Sequence, residues 1–124
     1  MKEKIWLSPP HMSGFEKKYV DQAFNDNWIA PVGPNVEGFE NDLENYLKED
    51  VYVSAHSSGT ASIHLALKLL GVSTGDEVIV QSFTFVGSVN PVIYLGAKPI
   101  FIDSEKESWN MCPEILESAI IDRI

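Results

Sequence analysis

The sequence predicts an α/β fold with a mostly parallel sheet, and three observations carry that prediction. After residue 50, short apolar runs alternate with helix-like segments in the order β-α-β-α-β-α. That order calls for parallel strands joined by right-handed crossovers. The candidate strands read Val51-Tyr52-Val53, Val78-Ile79-Val80 and Ile100-Phe101-Ile102. Near-continuous apolar runs of this kind suit strands covered on both faces. Two of the intervening helical segments run into a glycine, Gly71 and Gly96, where a helix stops readily.

The elements follow in chain order. Residues 1–12 read as an extended lead-in, since Pro9-Pro10 blocks a helix. Ser13-Gly14-Phe15-Glu16 has the form of a capping box, with the Ser13 hydroxyl accepting from the Glu16 N–H and the carboxylate returning to the Ser13 N–H. The helix it opens places Phe15, Tyr19, Ala23 and Phe24 on one face and ends at Asn25-Asp26-Asn27. Residues 28–34 form a loop stiffened by Pro31 and Pro34. A second helix over residues 35–48 carries the apolar stripe Val36, Phe39, Leu43, Tyr46 and Leu47, with Glu37, Glu40, Asp42 and Glu44 facing water. Then come a strand at 51–55, a helix at 60–70, a turn at 73–76 and a strand at 77–81. A helix at 86–95 is disturbed at Pro91. A strand at 98–103 and a helix at 113–122, with proline in its first turn, complete the chain. This divides the molecule into residues 1–50, a lead-in with two helices, and residues 51–124, the alternating part.

Composition narrows the function classes. The chain has 124 residues, 44% apolar and 22% charged, which is ordinary for a globular protein and enough for one domain with a real core. Nine basic residues stand against 18 acidic ones, a net charge of −9. That balance argues against nucleic acid, whose phosphates need clustered Lys and Arg, and against an anionic membrane surface. The single cysteine, Cys112, allows no internal disulfide and suits a reducing compartment. With no run approaching the ~18–20 apolar residues of a membrane span and no leader-like start, the expected location is the cytoplasm.

The chemistry is expected at Ser57-Ser58-Gly59-Thr60-Ala61-Ser62, between a strand and a helix. A helix N-terminus offers unpaired N–H groups and the positive end of a dipole. Gly59 lets the backbone approach a ligand closely, and the Ser and Thr hydroxyls add donors, which together make an anion cradle of the phosphate type. The same residues also suit an ordinary Ser/Thr cap followed by a glycine turn. A second stretch, Gln81-Ser82-Phe83-Thr84-Phe85-Val86, should reach the same C-terminal sheet edge, where ligands bind in open α/β sheets. Of Phe83 and Phe85, one is expected inside and one at the edge, where it could stack on a flat heterocycle. His56 is expected to be structural. It has no metal-like spacing with His11 or His64, so no metal site is expected.

These segments resemble the DegT/DnrJ/EryC1/StrS aminotransferases of sugar biosynthesis. The matching residues are Leu7-Ser8-Pro9-Pro10-His11, Asn27-Trp28-Ile29-Ala30-Pro31, Ser58-Gly59-Thr60-Ala61, Gly75-Asp76-Glu77-Val78, Ser82-Phe83-Thr84-Phe85, Gly96-Ala97-Lys98-Pro99 and Phe101-Ile102-Asp103, in order along the chain. The resemblance implies a partial large domain of the aspartate-aminotransferase-like (PLP fold type I) fold. It implies pyridoxal 5'-phosphate as cofactor, held by Ser58, Gly59 and Thr60 at its phosphate and by Phe85 at its ring. Trp28, Ile29, Ala30 and Pro31 would lie at the mouth where a nucleotide-sugar enters. The implied reaction moves an amino group, usually from glutamate, to a keto group of that sugar, for bacterial polysaccharide or glycan, in a homodimer.

Asn90 and Asp103 fall on regularly occurring family positions, with no contact assigned. The resemblance also implies that the Schiff-base lysine and the carboxylate paired with the pyridine nitrogen come after Ile124. The chain alone is therefore expected to be inactive, and its strand at 51–55 to lack its usual neighbours, leaving an edge open to aggregation. Two other readings stay open: a non-catalytic phosphate-binding or assembly fragment, and a nucleotide-binding α/β domain. The second of these would want Gly-x-Gly-x-x-Gly after the first strand, where only Gly59 stands.

Overall fold

The computed structural model describes residues 4–48 and 50–124. The start of the expected lead-in, residues 1–3, lies outside them. The chain divides into two compact units, Met1–Ala55 and His56–Ile124, each described by itself.

The first unit contains helices α1 (Glu16–Asn25) and α2 (Pro34–Leu47). Half of the capping box at α1 forms. The Glu16 carboxylate accepts from the Ser13 N–H at 2.5 Å and the Gly14 N–H at 2.9 Å. The Ser13 hydroxyl instead accepts from the Phe15 N–H at 3.4 Å, so Phe15 rather than Ser13 is the capping position. Asn27, in the left-handed region at φ 57°, turns the chain out of α1, and the Trp28 N–H returns to the Ala23 carbonyl at 2.8 Å. α2 begins with Pro34 in its first turn, where a missing N–H costs nothing.

The strand expected at 51–55 does not form. Strand structure is a property of a ladder, and this segment belongs to none. It stays extended, with Val51, Val53 and Ala55 half-buried and Tyr52 and Ser54 exposed, the period of two that the sequence shows. Side chains of α2 take up its backbone donors: the Val53 N–H reaches Glu44 at 2.8 Å and the Ala55 N–H reaches Glu40 at 2.7 Å. Glu40 and Glu44, expected to face water, are therefore half-buried partners of that segment.

The second unit holds α3 (Gly59–Leu69), β1 (Glu77–Gln81), a 3-10 turn (Val86–Ser88), α4 (Asn90–Tyr94), β2 (Lys98–Ile102) and α5 (Pro113–Ile121). β1 and β2 pair in parallel, Ile79 opposite Ile100, as the crossover through α4 requires. The helix expected at 86–95 is broken in two. Pro91 has no N–H to give the carbonyl four residues back, so a 3-10 turn closes first and Pro91 then sits in the opening turn of α4. Gly71 and Gly96 both stop their helices at positive φ. The buried apolar residues are Val89, Val92, Ala97, Ile102 and Ala119, together with Pro91. They join α4 to β2 and α5. Coverage on both sheet faces is not complete, since Phe101 is exposed between buried or half-buried neighbours.

Candidate functional site

α3 presents its N-terminus directly after the extended segment. Ser58 is its cap, with backbone in the extended region and a hydroxyl that accepts from the Ala61 N–H at 3.2 Å. The Ser62 N–H turns back to the Ser58 carbonyl at 3.1 Å. The N–H groups of Gly59 and Thr60, the first two of the helix, have no intrahelical acceptor, and no other acceptor is found for them among the described residues. The cap reading of this motif is observed, and it leaves two N–H groups without a partner among the described residues. Ser58 engages the third helical N–H, not the first two.

His56 ties this turn down. The His56 Nδ1 lies 3.1 Å from Ser62 Oγ, which itself lies 3.3 Å from the Ser58 carbonyl. This agrees with a structural histidine.

The second stretch leaves the end of β1. Its first residues are fixed across the sheet: the Ser82 N–H reaches the Ile102 carbonyl at 2.8 Å, and the Ser82 hydroxyl donates to Asp103 at 3.3 Å. Asp103, whose role the sequence left unassigned, also accepts from the neighbouring Ser104 N–H at 2.8 Å. Gln81 gives both amide protons to the loop after β2, to Ser104 Oγ at 3.1 Å and the Trp109 carbonyl at 2.6 Å. Sequence reasoning named Gln81 in this stretch but missed its pairing with Trp109, since nothing local marks a contact 28 residues apart.

Phe85 and Phe83 do not divide into one core and one edge aromatic. Phe83 is 65% exposed and packs on Trp109, ring centroids 5.4 Å apart, while Phe85 is 81% exposed. The reason is that residues 82–85 run along the strand end rather than under a covering layer. Thr60 and Phe85 converge on Gly87. A β-carbon added there would lie 2.7 Å from Thr60 Oγ1 and 3.0 Å from the Phe85 ring. Gly87 is buried and was missed by sequence reasoning, where a glycine in a helix-like run carried no signal. A β-carbon on Gly59, by contrast, meets nothing within 4 Å. Two free N–H groups, a hydroxyl, open space over a glycine and an exposed ring beside them fit a group that has both a phosphate and a flat heterocycle.

Trp28, Ile29, Ala30 and Pro31 belong to the other unit. The Trp28 ring lies on Gly33, whose added β-carbon would be 2.9 Å from Cε3 and whose φ is 137°. Trp28 and Ala30 line a small crevice of about 40 Å³ with Gln22 and Asp26. Ile29 joins them along an adjoining groove with Tyr19 and Phe24, and Pro31 lines neither. Cys112 precedes α5 without capping it; its thiol donates to Glu114 at 3.1 Å, which helps hold that carboxyl below its ordinary range. No described helix is long and apolar enough to cross a membrane.

Residues 10–124 match the DegT/DnrJ/EryC1/StrS aminotransferase family. EpsN of Bacillus subtilis strain 168, which carries the name of a pyridoxal phosphate-dependent aminotransferase, is 54% identical over 97% of this chain and 31% of its own length. GDP-perosamine synthase of Escherichia coli O157:H7 is 40% identical over 92% of this chain and 31% of its own. The PLP form of Spr1654 from Streptococcus pneumoniae, which carries the name of a sugar aminotransferase, superimposes with a TM-score of 0.83 at 31% identity, over 94% of this chain and 29% of that one. The chain thus spans about a third of the length of the relatives it matches. Its β-α-β arrangement is part of the α/β fold of the PLP-dependent aminotransferases. The chain belongs to the DegT/DnrJ/EryC1/StrS aminotransferase family.

Proposed function

We propose that this chain contributes the phosphate-binding side of a PLP-dependent sugar aminotransferase. The reaction would move an amino group, with glutamate as the donor, to the keto group of a nucleotide-linked sugar destined for a bacterial polysaccharide or glycan. The observation that carries this reading is the convergence of Thr60 and Phe85 beside the free N-terminus of α3. The Gly59 and Thr60 N–H groups and the Thr60 hydroxyl hold the phosphate. The dipole of α3 adds roughly 0.3–1 kcal/mol for the negative charge, up to ~2 when partly buried. Ser58 keeps the turn in shape, with its hydroxyl proton left to donate. Phe85 lies against the ring.

When bound, pyridoxal phosphate supplies the electron sink for transamination, and the protein supplies placement. Trp28, Ile29, Ala30 and Pro31 contact the nucleotide-sugar. The resemblance supports a cytoplasmic homodimer as the working form, with the Schiff-base lysine contributed by sequence after Ile124.

The reading is tested by titrating PLP into the full chain and into Thr60→Val, following cofactor absorbance. Loss of a hydrogen bond to a charged group predicts weakening of about 1.5–3 kcal/mol. Equal affinities would place the phosphate elsewhere.

A further inference from the structure

We propose that Gly87 is a positioning residue for this cradle. By carrying no side chain, it lets the Thr60 hydroxyl and the Phe85 ring close on one point. It thereby sets where an anion held at Thr60 lies relative to a flat ring held at Phe85. The inference rests on the cofactor reading above and adds to it a residue outside the matched motifs.

Backbone freedom does not explain this glycine. Its φ is not positive, and it lies in a 3-10 turn that other residues adopt without strain. Space does explain it. Gly87 is buried, and a single added carbon would stand 2.7 Å from Thr60 Oγ1 and 3.0 Å from both Cδ1 and Cε1 of Phe85. All three lie inside ordinary van der Waals separation.

The two neighbours would yield in different ways, and both ways damage the site. Thr60 is β-branched and in the first turn of a helix, so its hydroxyl leaves only by a χ1 rotation that puts a methyl or hydrogen in its place. Phe85 is exposed and can swing outward, which moves the face it offers to a ligand. A side chain at Gly87 therefore costs the phosphate a donor, or shifts the ring, without touching the ligand itself.

The turn that holds Gly87 is itself pinned. The Ser88 N–H reaches the Phe85 carbonyl at 2.9 Å, the Val89 N–H reaches Val86 at 2.9 Å, and the Thr84 hydroxyl meets Ser88 Oγ at 3.2 Å. Val89, Pro91 and Val92 behind it are buried. Backing away is thus harder for Gly87 than yielding is for Thr60 or Phe85.

The test is a pair of double-mutant cycles on PLP affinity in the full chain, read by cofactor absorbance, with far-UV circular dichroism and thermal melting alongside. The variants are Gly87→Val, Thr60→Ala, Phe85→Ala and the pairs of Gly87→Val with each of the other two. Gly87→Val and Thr60→Ala are each expected to weaken PLP by about tenfold or more, the size carried by one hydrogen bond to a charged group. Where the valine acts through the Thr60 hydroxyl, the pair with Thr60→Ala should bind no more weakly than Gly87→Val alone; where it acts through the ring, the same should hold for the pair with Phe85→Ala. Affinity of Gly87→Val equal to wild type would overturn the inference, as would losses that multiply both with Thr60→Ala and with Phe85→Ala. If Gly87→Val does not fold, Gly87→Ala takes its place and is judged by the same two criteria. A wild-type chain that does not bind PLP would instead sink the cofactor reading, so the two failures are distinct.

Discussion

The two compact units use their apolar residues differently. In His56–Ile124, Val89, Val92, Ala97, Ile102 and Ala119 are buried among α4, β2 and α5. In Met1–Ala55, the helices show equally clear apolar stripes, but no side chain of α1 or α2 is fully buried. Phe15, Tyr19, Phe24, Phe39 and Tyr46 are all exposed. The lesson is that a 3.6-residue stripe specifies a helix and a face, whereas burial needs a second layer that the stripe does not name.

The contrast breaks most sharply under truncation of side chains. Ile102 is 1% exposed, and Ile102→Ala should destabilise the second unit by about 2–5 kcal/mol, as buried aliphatic deletions do. Phe39, the stripe residue of α2, is 55% exposed, and Phe39→Ala should cost about 1 kcal/mol or less. Urea denaturation of both variants checks the ordering, and equal losses would mean that Phe39 has a partner that closes over it.

A smaller effect tests whether the first unit has any tight packing. Gly33 is its one buried residue among those described. Gly33→Ala combines an unfavourable φ with a contact on the Trp28 ring, for a loss of about 1–3 kcal/mol. Adding Trp28→Ala should relieve the contact and leave the backbone strain, so the second change should recover part of the loss. A further loss on adding it would show that the ring stabilises more than it obstructs.

Next in size is the cap of α3. Ser58→Ala removes the acceptor of the Ala61 N–H and should cost about 1 kcal/mol. Ser58→Asp should restore the cap while placing a negative charge where the phosphate is proposed to sit. If Ser58→Asp regains stability and loses PLP affinity, cap and cradle occupy the same turn. If it regains both, they do not.

Much of this was legible in the sequence, and the misses share a cause. α2, α3, β1, β2 and α5 lie within about a residue or two of their expected bounds, because local periodicity and glycine or proline punctuation set them. The segment at 51–55 keeps its period of two but joins no ladder, in line with the expectation that it lacks its usual neighbours. The helix at 86–95 was known to be disturbed at Pro91, but not that a 3-10 turn would take its first half. In the candidate site, the Ser58 cap and the start of α3 were legible from local residue types, and the structure brings Thr60 and Phe85 together at Gly87. Gly87 and the pairing of Gln81 with Trp109 were not legible, since one works through space left empty and the other through residues distant in the chain.

The smallest expected effect is electrostatic, and in each unit it is read by pH. Glu77 at the start of β1 meets Lys98 Nζ at 3.0 Å and Arg123 Nε at 2.7 Å, so one carboxylate links β1, β2 and the segment after α5. The hydrogen bonds from Lys98, then Arg123, hold its carboxyl below the ordinary range. In the first unit, the Glu16 carboxyl is brought to about 2, chiefly by its own N–H and those around Ser13. A depressed folded pKa gives stability that is complete above the ordinary carboxylate range and is lost as pH falls through the lowered value. Glu77→Gln should therefore lower the melting temperature at neutral pH, by a small amount for so exposed a cluster, and the gap should close on acidification. Salt should shrink it as well. Glu16→Gln should loosen the start of α1, seen in amide exchange of its first turn, and its gap should close as pH falls toward about 2. A Glu77 gap that stays constant across the acid range would show that the glutamine disturbs packing rather than charge.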